Sequence, residues 1–522
     1  MKRQPIETGS RALFMFAVIA AAFADAAELQ VEVIAVGGQP VPGGGGTFSS
    51  FRAAQVNDSG QVAFQAHVLG AAWEFGLFRG DGGRITLIAR DGQAAPEGSI
   101  RGIGLFPYHF HLNDSGQVSF YAQLTGISGA NQPFGYLFSD GQALAQIARE
   151  RQATAHGTLN SLSALSSLNN VGQATFFALG IGVFRWSGGA LTPVALRGQS
   201  TPHGNLDFLY EGEDINDAGQ VAFGVHDRGI LRWDDGTLSP IALHGQAPPD
   251  GAGVFNFSIA SGGGLFTPPA RINNAGHVLF ESHLAGTTDR YGIFLHDGQS
   301  LKQLLRAPEP IRSYLGTTGI YTAPLLNDAG QVAFLSDSSV FPVDDRLFFH
   351  DGHTLIEIAR DGDPAPDGNG TFDRFGLAGL SDSGQLLFTA GFAGTVGGTT
   401  DRHGVFLADG GQLIQVVRDG QPFDLGGGDF RVIESVYSAH LNNHGQLALS
   451  LKFTDNTSGV FLISVVPEPS PLAAGLVGVS TWCGAGRRRR WQACPTASGR
   501  QAPRPTSSVR TAIYGALSRP AN

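Results

Sequence analysis

The residues with the most chemical potential lie in a few short polar stretches. His109 and His111 stand two apart, so a strand turns both imidazoles to one face. Glu211, Glu213 and Asp214 cluster in a second stretch, and His440 stands in a third. If the fold gathers these stretches, imidazoles beside carboxylates make an acid/base or metal-binding site. The plainer reading is a wet, polar-lined channel, because only perturbed groups mark a site. Thr-Thr-Asp-Arg occurs at 287–290 and again at 399–402. Asp289, Arg290, Asp401 and Arg402 are then either a displayed binding face or local ion pairs of small value. Trp186 and Trp233 each follow an arginine. Exposed, such indoles stack on sugar rings; buried, they cover the contact between neighbouring sheets. No metalloprotease helix motif, phosphate-cradling loop, nucleophile elbow or Cys/His zinc spacing is present. No carboxylate pair is marked out as a glycosidase requires. The sequence therefore assigns no catalytic residue, no metal and no cofactor.

What positions these stretches is an eight-residue unit that occurs eight times. Copies open at 57, 113, 169, 216, 273, 327, 381 and 442, in steps of 56, 56, 47, 57, 54, 54 and 61 residues. A period of this size marks a propeller, a solenoid or a tandem array. The cleanest copy is Asn57-Asp58-Ser59-Gly60-Gln61-Val62-Ala63-Phe64. It is a turn feeding a strand. Asparagine bonds its own backbone two residues on, and glycine takes positive φ without penalty. Val62 and Phe64 then point one way, Gln61 and Ala63 the other. A calcium loop needs further carboxylates that the unit lacks.

The rest of the first repeat reads as four strands, at 51–56, 61–69, 75–79 and 84–90, with a polar loop at 91–96 leading onward. Asp-Gly at 140–141, 235–236, 297–298 and 351–352 signals short hairpins between third and fourth strands. Glycine is abundant, at 74 residues, and helix-favouring runs are nearly absent from the body, which makes the chain all-β. The ends choose between ring and array. The last unit stops after its third strand, at 459–464, while the chain begins with a lone fourth strand at 29–35. Residues 34–48 align without gaps on 358–372, which identifies that first strand as a fourth strand. The expected fold is an eight-bladed β-propeller with about four strands per blade. Its ring is closed by the N-terminal strand completing the last blade, which leaves no lone edge at the seam. The alternative is an open β-solenoid.

The net charge of −10 hides an acidic body: residues 27–466 hold 23 Lys+Arg and 41 Asp+Glu. That argues against nucleic acid or an anionic membrane as partner. Cys483 and Cys494 lie beyond the repeats, so the body's stability must come from packing. Lys2, Arg3 and Arg11 precede an apolar run at 12–23 and the small-x-small pattern Ala24-Asp25-Ala26. This is the arrangement of a secretory signal peptide, expected to span 1–26.

After the last strand come Pro467, Glu468 and Pro469, a weakly apolar segment at 471–486, then Arg487, Arg488, Arg489 and Arg490. Sixteen residues fall short of the ~20 that span a bilayer, but the arginines form a positive-inside stop. This tail, 467–490, resembles the PEP-CTERM sorting signal of Gram-negative bacteria. The repeats resemble the NxxGxxAF tandem-repeat family of surface proteins. The first resemblance implies processing by an exosortase, transient membrane contact through the C-terminal segment, and delivery to the outer surface or extracellular matrix of a Gram-negative bacterium. The second implies no chemistry. Residues 491–522, rich in Arg, Pro, Ser and Ala, read as disordered. The expectation is an exported, non-catalytic component of a polysaccharide-rich envelope that binds exopolysaccharide or envelope proteins. The competing expectation is a polysaccharide hydrolase or lyase using channel-lining carboxylates.

Overall fold

Every copy of the eight-residue unit is a tight turn entering a strand, and the eight units build eight antiparallel sheets. The computed structural model describes residues 28–466 apart from 104–108, 130–131, 210–211, 259–269, 308–312, 316–319, 323, 337–344 and 399–400. It also describes the pair Ala17–Val18, which lies alongside Leu355–Arg360. No α-helix occurs among the described residues. The remainder of the expected signal peptide, and all of the expected sorting segment and tail, lie outside them. The chain divides into units 1–467 and 468–522.

The first blade runs Thr47–Val56, Val62–Leu69, Phe75–Asp81 and Arg84–Arg90, side by side in that order. Its innermost strand begins earlier than alternation alone indicates, because two irregularities interrupt the period-2 pattern there. In the second blade the innermost strand is split into Ser99–Gly102 and Phe110–Leu112, and in the fifth into Val254–Asn256 and Arg271–Ile272. Innermost strands of successive blades touch around the ring.

The lone first strand is where the repeat alignment puts it. Glu28–Val36 runs antiparallel to Ser458–Val466, with Glu28 opposite Val466 and Val36 opposite Gly459. The eighth sheet is thereby completed by the other end of the body, and the ring closes. An open solenoid is excluded, because the last turn also bonds to the first.

Two side-chain features recur in every blade and explain why the unit ends in a large apolar residue. The eighth residue of each unit is buried and sits opposite an apolar residue of the third strand, as in Phe64↔Phe78, Phe176↔Phe184, Phe334↔Phe348 and Leu449↔Phe461. Where both are phenylalanine the rings stack, at centroid distances of 5.4–5.6 Å. One step further out, each fourth strand carries an extra residue at the same register, for example between Leu77 and Phe78. The last blade has it between Val33 and Ala35, so Ile34, from the far end of the chain, fills the place that Ile358 fills in the sixth.

Antiparallel order fixes two faces. One carries the eight-residue turns and the hairpins between third and fourth strands. The other carries the turns between second and third strands and the connections from blade to blade.

Candidate functional site

The turns form two rings of hydrogen bonds around the mouth of the central channel. In the outer layer of bonding, the first asparagine of a unit is buried. Its carbonyl accepts the N–H of the residue four on, as Asn57 Oδ1 does from Gln61 (2.8 Å). The bond is thus to i+4 rather than the i+2 bond expected from turn chemistry; Asn442 alone accepts from both positions. Its Nδ2 donates to the next blade: Asn57 to the Asn113 carbonyl (2.9 Å), then onward from Asn113, Asn169, Asn216 and Asn273 to Asn327, which donates to the Ser381 carbonyl, and Asn442 back to Asn57 (2.9 Å); the link from Ser381 to Asn442 is not made. In the second ring, the backbone N–H of the next residue donates to the carboxyl or amide oxygen of its counterpart one blade on. All eight links are made, from Asp58 to Asp114 (2.8 Å) round to Asn443 and back to Asp58 (2.8 Å).

The unit's glycine serves the same contact. Its φ lies between 73° and 87° in all eight copies. At Gly172 an added Cβ would come within 2.7 Å of Gln117 from the preceding blade. The unit is therefore a turn that is also a coupling between blades, and its polar groups are committed to that task.

Five of the eight second-ring residues are aspartates, so the mouth is acidic. Burial, opposed by hydrogen bonds from neighbouring amides and reinforced by the other ring carboxylates, holds Asp114 and Asp382 above the usual carboxylate range. The mouth encloses a cavity of about 300 Å³ lined by residues of the third to eighth blades.

Behind the ring the sequence's polar stretches do converge. Asp214 accepts from the Ser167 hydroxyl (2.7 Å) and from the Ile272 N–H (3.1 Å), tying the third, fourth and fifth blades. Burial lowers His111 to about 4, against the opposing pull of Asp214, with Arg271, His109 and His440 also within electrostatic reach. Burial likewise lowers His440 to about 4, and its Nδ1 accepts the Val56 N–H (3.3 Å). His109 is lowered by burial and packs its ring edge to Tyr121. Glu213 is only 4 % exposed, and Glu211 lies outside the described residues. The lowered values keep these imidazoles neutral at pH 7, and His440 acts as an acceptor for the first blade's innermost strand. Among the described residues, no group of three or more His, Cys, Asp or Glu is placed to hold a metal ion.

The tryptophans are not exposed: Trp186 and Trp233 are each 3 % accessible. Trp186 packs against Phe138 of the preceding blade (5.0 Å), and the guanidinium of Arg185 covers Trp233 (4.6 Å) while donating to the Gly219 carbonyl (3.1 Å). They seal blade contacts and present no face for a sugar. The two Thr-Thr-Asp-Arg loops also differ. Asp289 is half-buried, and Arg290 and Arg402 are exposed. Asp401, at 8 % exposure, is the partner of fully buried Arg418.

Sequence reasoning missed that arginine. Its Nη1 donates to both oxygens of Asp367 (2.8 and 2.9 Å), its Nη2 to the Asn369 carbonyl (2.6 Å) and its Nε to Asp401, and it lies over Phe392. The second and fifth blades repeat the idea with Arg149–Glu97 (2.5 Å) and Arg306–Asp250 (3.0 Å). A signal was present: each acid sits in Pro-acid-Gly, and each arginine near the end of a fourth strand.

The opposite face carries what the ring does not use. Nine large apolar residues are exposed among the described ones. Seven of them lie on the blade-connection face: Leu69, Leu179, Phe208, Val254, Val396, Phe430 and Val432. Alternation had no way to mark them, because they sit at strand ends and in loops.

In comparison with known proteins, the sequence matches the profile of one family, described as a family of unknown function (DUF7453), over residues 19–256 and again over 224–473. None of the curated proteins matches. Among solved structures, the chain is similar to the β-propeller domain of the Trilobed protease from Pyrococcus furiosus (12 % identity, 72 % of this chain and 100 % of that one, TM-score 0.38). It is also similar to the Dos1 propeller (9 % identity, 84 % and 96 %, TM-score 0.41). Nothing of either protein's chemistry carries across at that level.

Proposed function

We propose that this chain, which belongs to the family of unknown function DUF7453, is an exported, non-catalytic propeller that binds glycan or protein in a polysaccharide-rich envelope. The observation that carries the reading is the contrast between the two faces. On one, the repeated polar groups are engaged in blade-to-blade hydrogen bonds; on the other, seven large apolar side chains face solvent. They are spread over six blades, and where two of them meet, Leu179 and Phe208 at one cavity, the exposed apolar surface favours recognition of another molecule. Asp214 favours a structural role over hydrolysis, since both its oxygens hold neighbouring blades. Export rests on the signal-like N-terminus, and surface sorting by an exosortase-type enzyme rests on the Pro467-to-Arg490 arrangement.

The test is co-sedimentation of the purified protein with exopolysaccharide, and separately with envelope protein, from the producing cells. Retention on either supports the proposal, and competition by free oligosaccharide identifies the glycan form. Shortening of the polymer during incubation overturns it in favour of a hydrolase or lyase, with Glu211, Glu213 and Asp214 the first residues to replace.

A further inference from the structure

On the blade-connection face, a cavity of about 230 Å³ opens between the third and fourth blades. Phe177, Leu179, Ile181, Phe208 and Leu209 wall it, and Arg197 stands at its rim. The turn after Gln173–Ala178 supplies one wall, and the start of the fourth blade's innermost strand supplies the other. Leu179 is 62 % exposed and Phe208 54 %, so apolar surface that burial would stabilise is left in water.

The size and lining narrow the occupant. Pockets for whole small molecules run from about 300 Å³ upward. This one is smaller and holds one bulky side chain. A sugar site needs several convergent polar groups, whereas these walls are mostly hydrocarbon, with Arg197 and Asp207 the only charged residues on the lining.

The charges narrow it further. Asp207, on the lining, is already paired with Arg228 (3.8 Å). The Arg197 guanidinium lies over the Phe208 ring at 5.4 Å, and among the described residues it meets no carboxylate. An apolar cavity therefore has an unbalanced positive charge at its mouth, on a body that is otherwise strongly acidic.

We propose that this cavity is a docking site for an extended protein segment. It receives a large apolar side chain, and Arg197 pairs with a carboxylate one residue further along that segment. The inference rests on the binding reading above and commits it, at this site, to protein rather than glycan.

The probe is a fluorescently labelled hexapeptide, Gly-Ser-Phe-Asp-Gly-Ser, blocked at both ends and titrated against the full protein by anisotropy. Two control peptides carry Asn in place of Asp, or Ser in place of Phe. The Phe-Asp peptide is expected to bind weakly, the Asn peptide about fivefold more weakly, as for one partly exposed ion pair of about 1 kcal/mol. The Ser peptide is expected not to bind. Arg197→Gln should make the Asp and Asn peptides equal. Leu179→Ser or Phe208→Ser, both at exposed positions, should abolish binding with unfolding temperature unchanged. The proposal is overturned if the Phe-Asp peptide fails to bind at millimolar concentration, if the Ser peptide binds equally, or if Phe208→Ser behaves as wild type. Exopolysaccharide retention lost in Phe208→Ser would also overturn it, by making a sugar the occupant. Peptide binding without retention on any envelope material would leave the cavity's role standing and remove the envelope role.

Discussion

Ser381 stands where the other seven turns have asparagine. Its hydroxyl takes over the local task, accepting the Gln385 N–H (3.0 Å), but donates to no carbonyl of the eighth blade's turn. Ser381→Asn should add the eighth link of that ring and stabilise by about 1 kcal/mol, read as a small rise in unfolding temperature. Asn216→Ala should cost about 1–3 kcal/mol, since it removes the cross-blade bond to the Asn273 carbonyl, which keeps only the Gly276 N–H, and leaves the Gln220 N–H without its acceptor. No change in either variant would mean the ring bonds contribute nothing net. The buried imidazoles make a second residue-scale expectation. His111 and His440 sit near 4 when folded, against about 6.5 when unfolded, so the unfolded state takes up protons first as pH falls. Their share of the stability is complete above pH ~6.5 and is lost progressively down to ~4. The pair His111→Gln and His440→Gln should flatten unfolding temperature against pH across that window. An unaltered slope would place the acid sensitivity elsewhere. At this scale the sequence was half legible. Asparagine and glycine announced a turn, but their partners are the same motif one repeat away, and nothing local in the sequence points to a bond at that separation. Trp186 and Trp233 were ambiguous for a related reason, since what covers them belongs to neighbouring blades.

Among elements, the fourth strands were the most legible, since Asp-Gly turns and alternation bound them closely. Their extra residue was not, because a bulge leaves the apolar pattern nearly intact while shifting the register by one. Three of these strands also anchor the loop that enters their own blade, through Arg149, Arg306 and Arg418. In the seventh blade the anchor is fully buried. Arg418→Leu leaves Asp367 and Asp401 without their counter-charge and should cost about 3 kcal/mol or more. Faster proteolytic cleavage within 361–370, together with lower denaturant resistance, is the expected result. Arg418→Lys should not rescue it, since an ammonium cannot form the two-pronged contact with Asp367 while reaching Asp401 and the Asn369 carbonyl. Wild-type cleavage in the leucine variant would show the loop to be held by its backbone alone.

For the whole molecule, ring closure was the most fully legible feature, because the gapless match of 34–48 to 358–372 fixes both strand identity and register. Deleting residues 28–36 should expose the Ser458–Val466 edge and open the ring, seen as a marked loss of thermal stability and as self-association. Undiminished unfolding temperature in a monomer would mean that the turn rings hold the last blade unaided. The same pairing has a consequence for the order of events in the cell. A ribosome releases the chain from its N-terminus, so the strand at 28–36 is among the first parts made, and its partner at 458–466 is the last part of the propeller to emerge. Assembly can proceed blade by blade behind it, but the circuit cannot lock until synthesis of the body is finished. Until then an apolar strand must wait unpaired, at the stage when a nascent chain is most prone to aggregate.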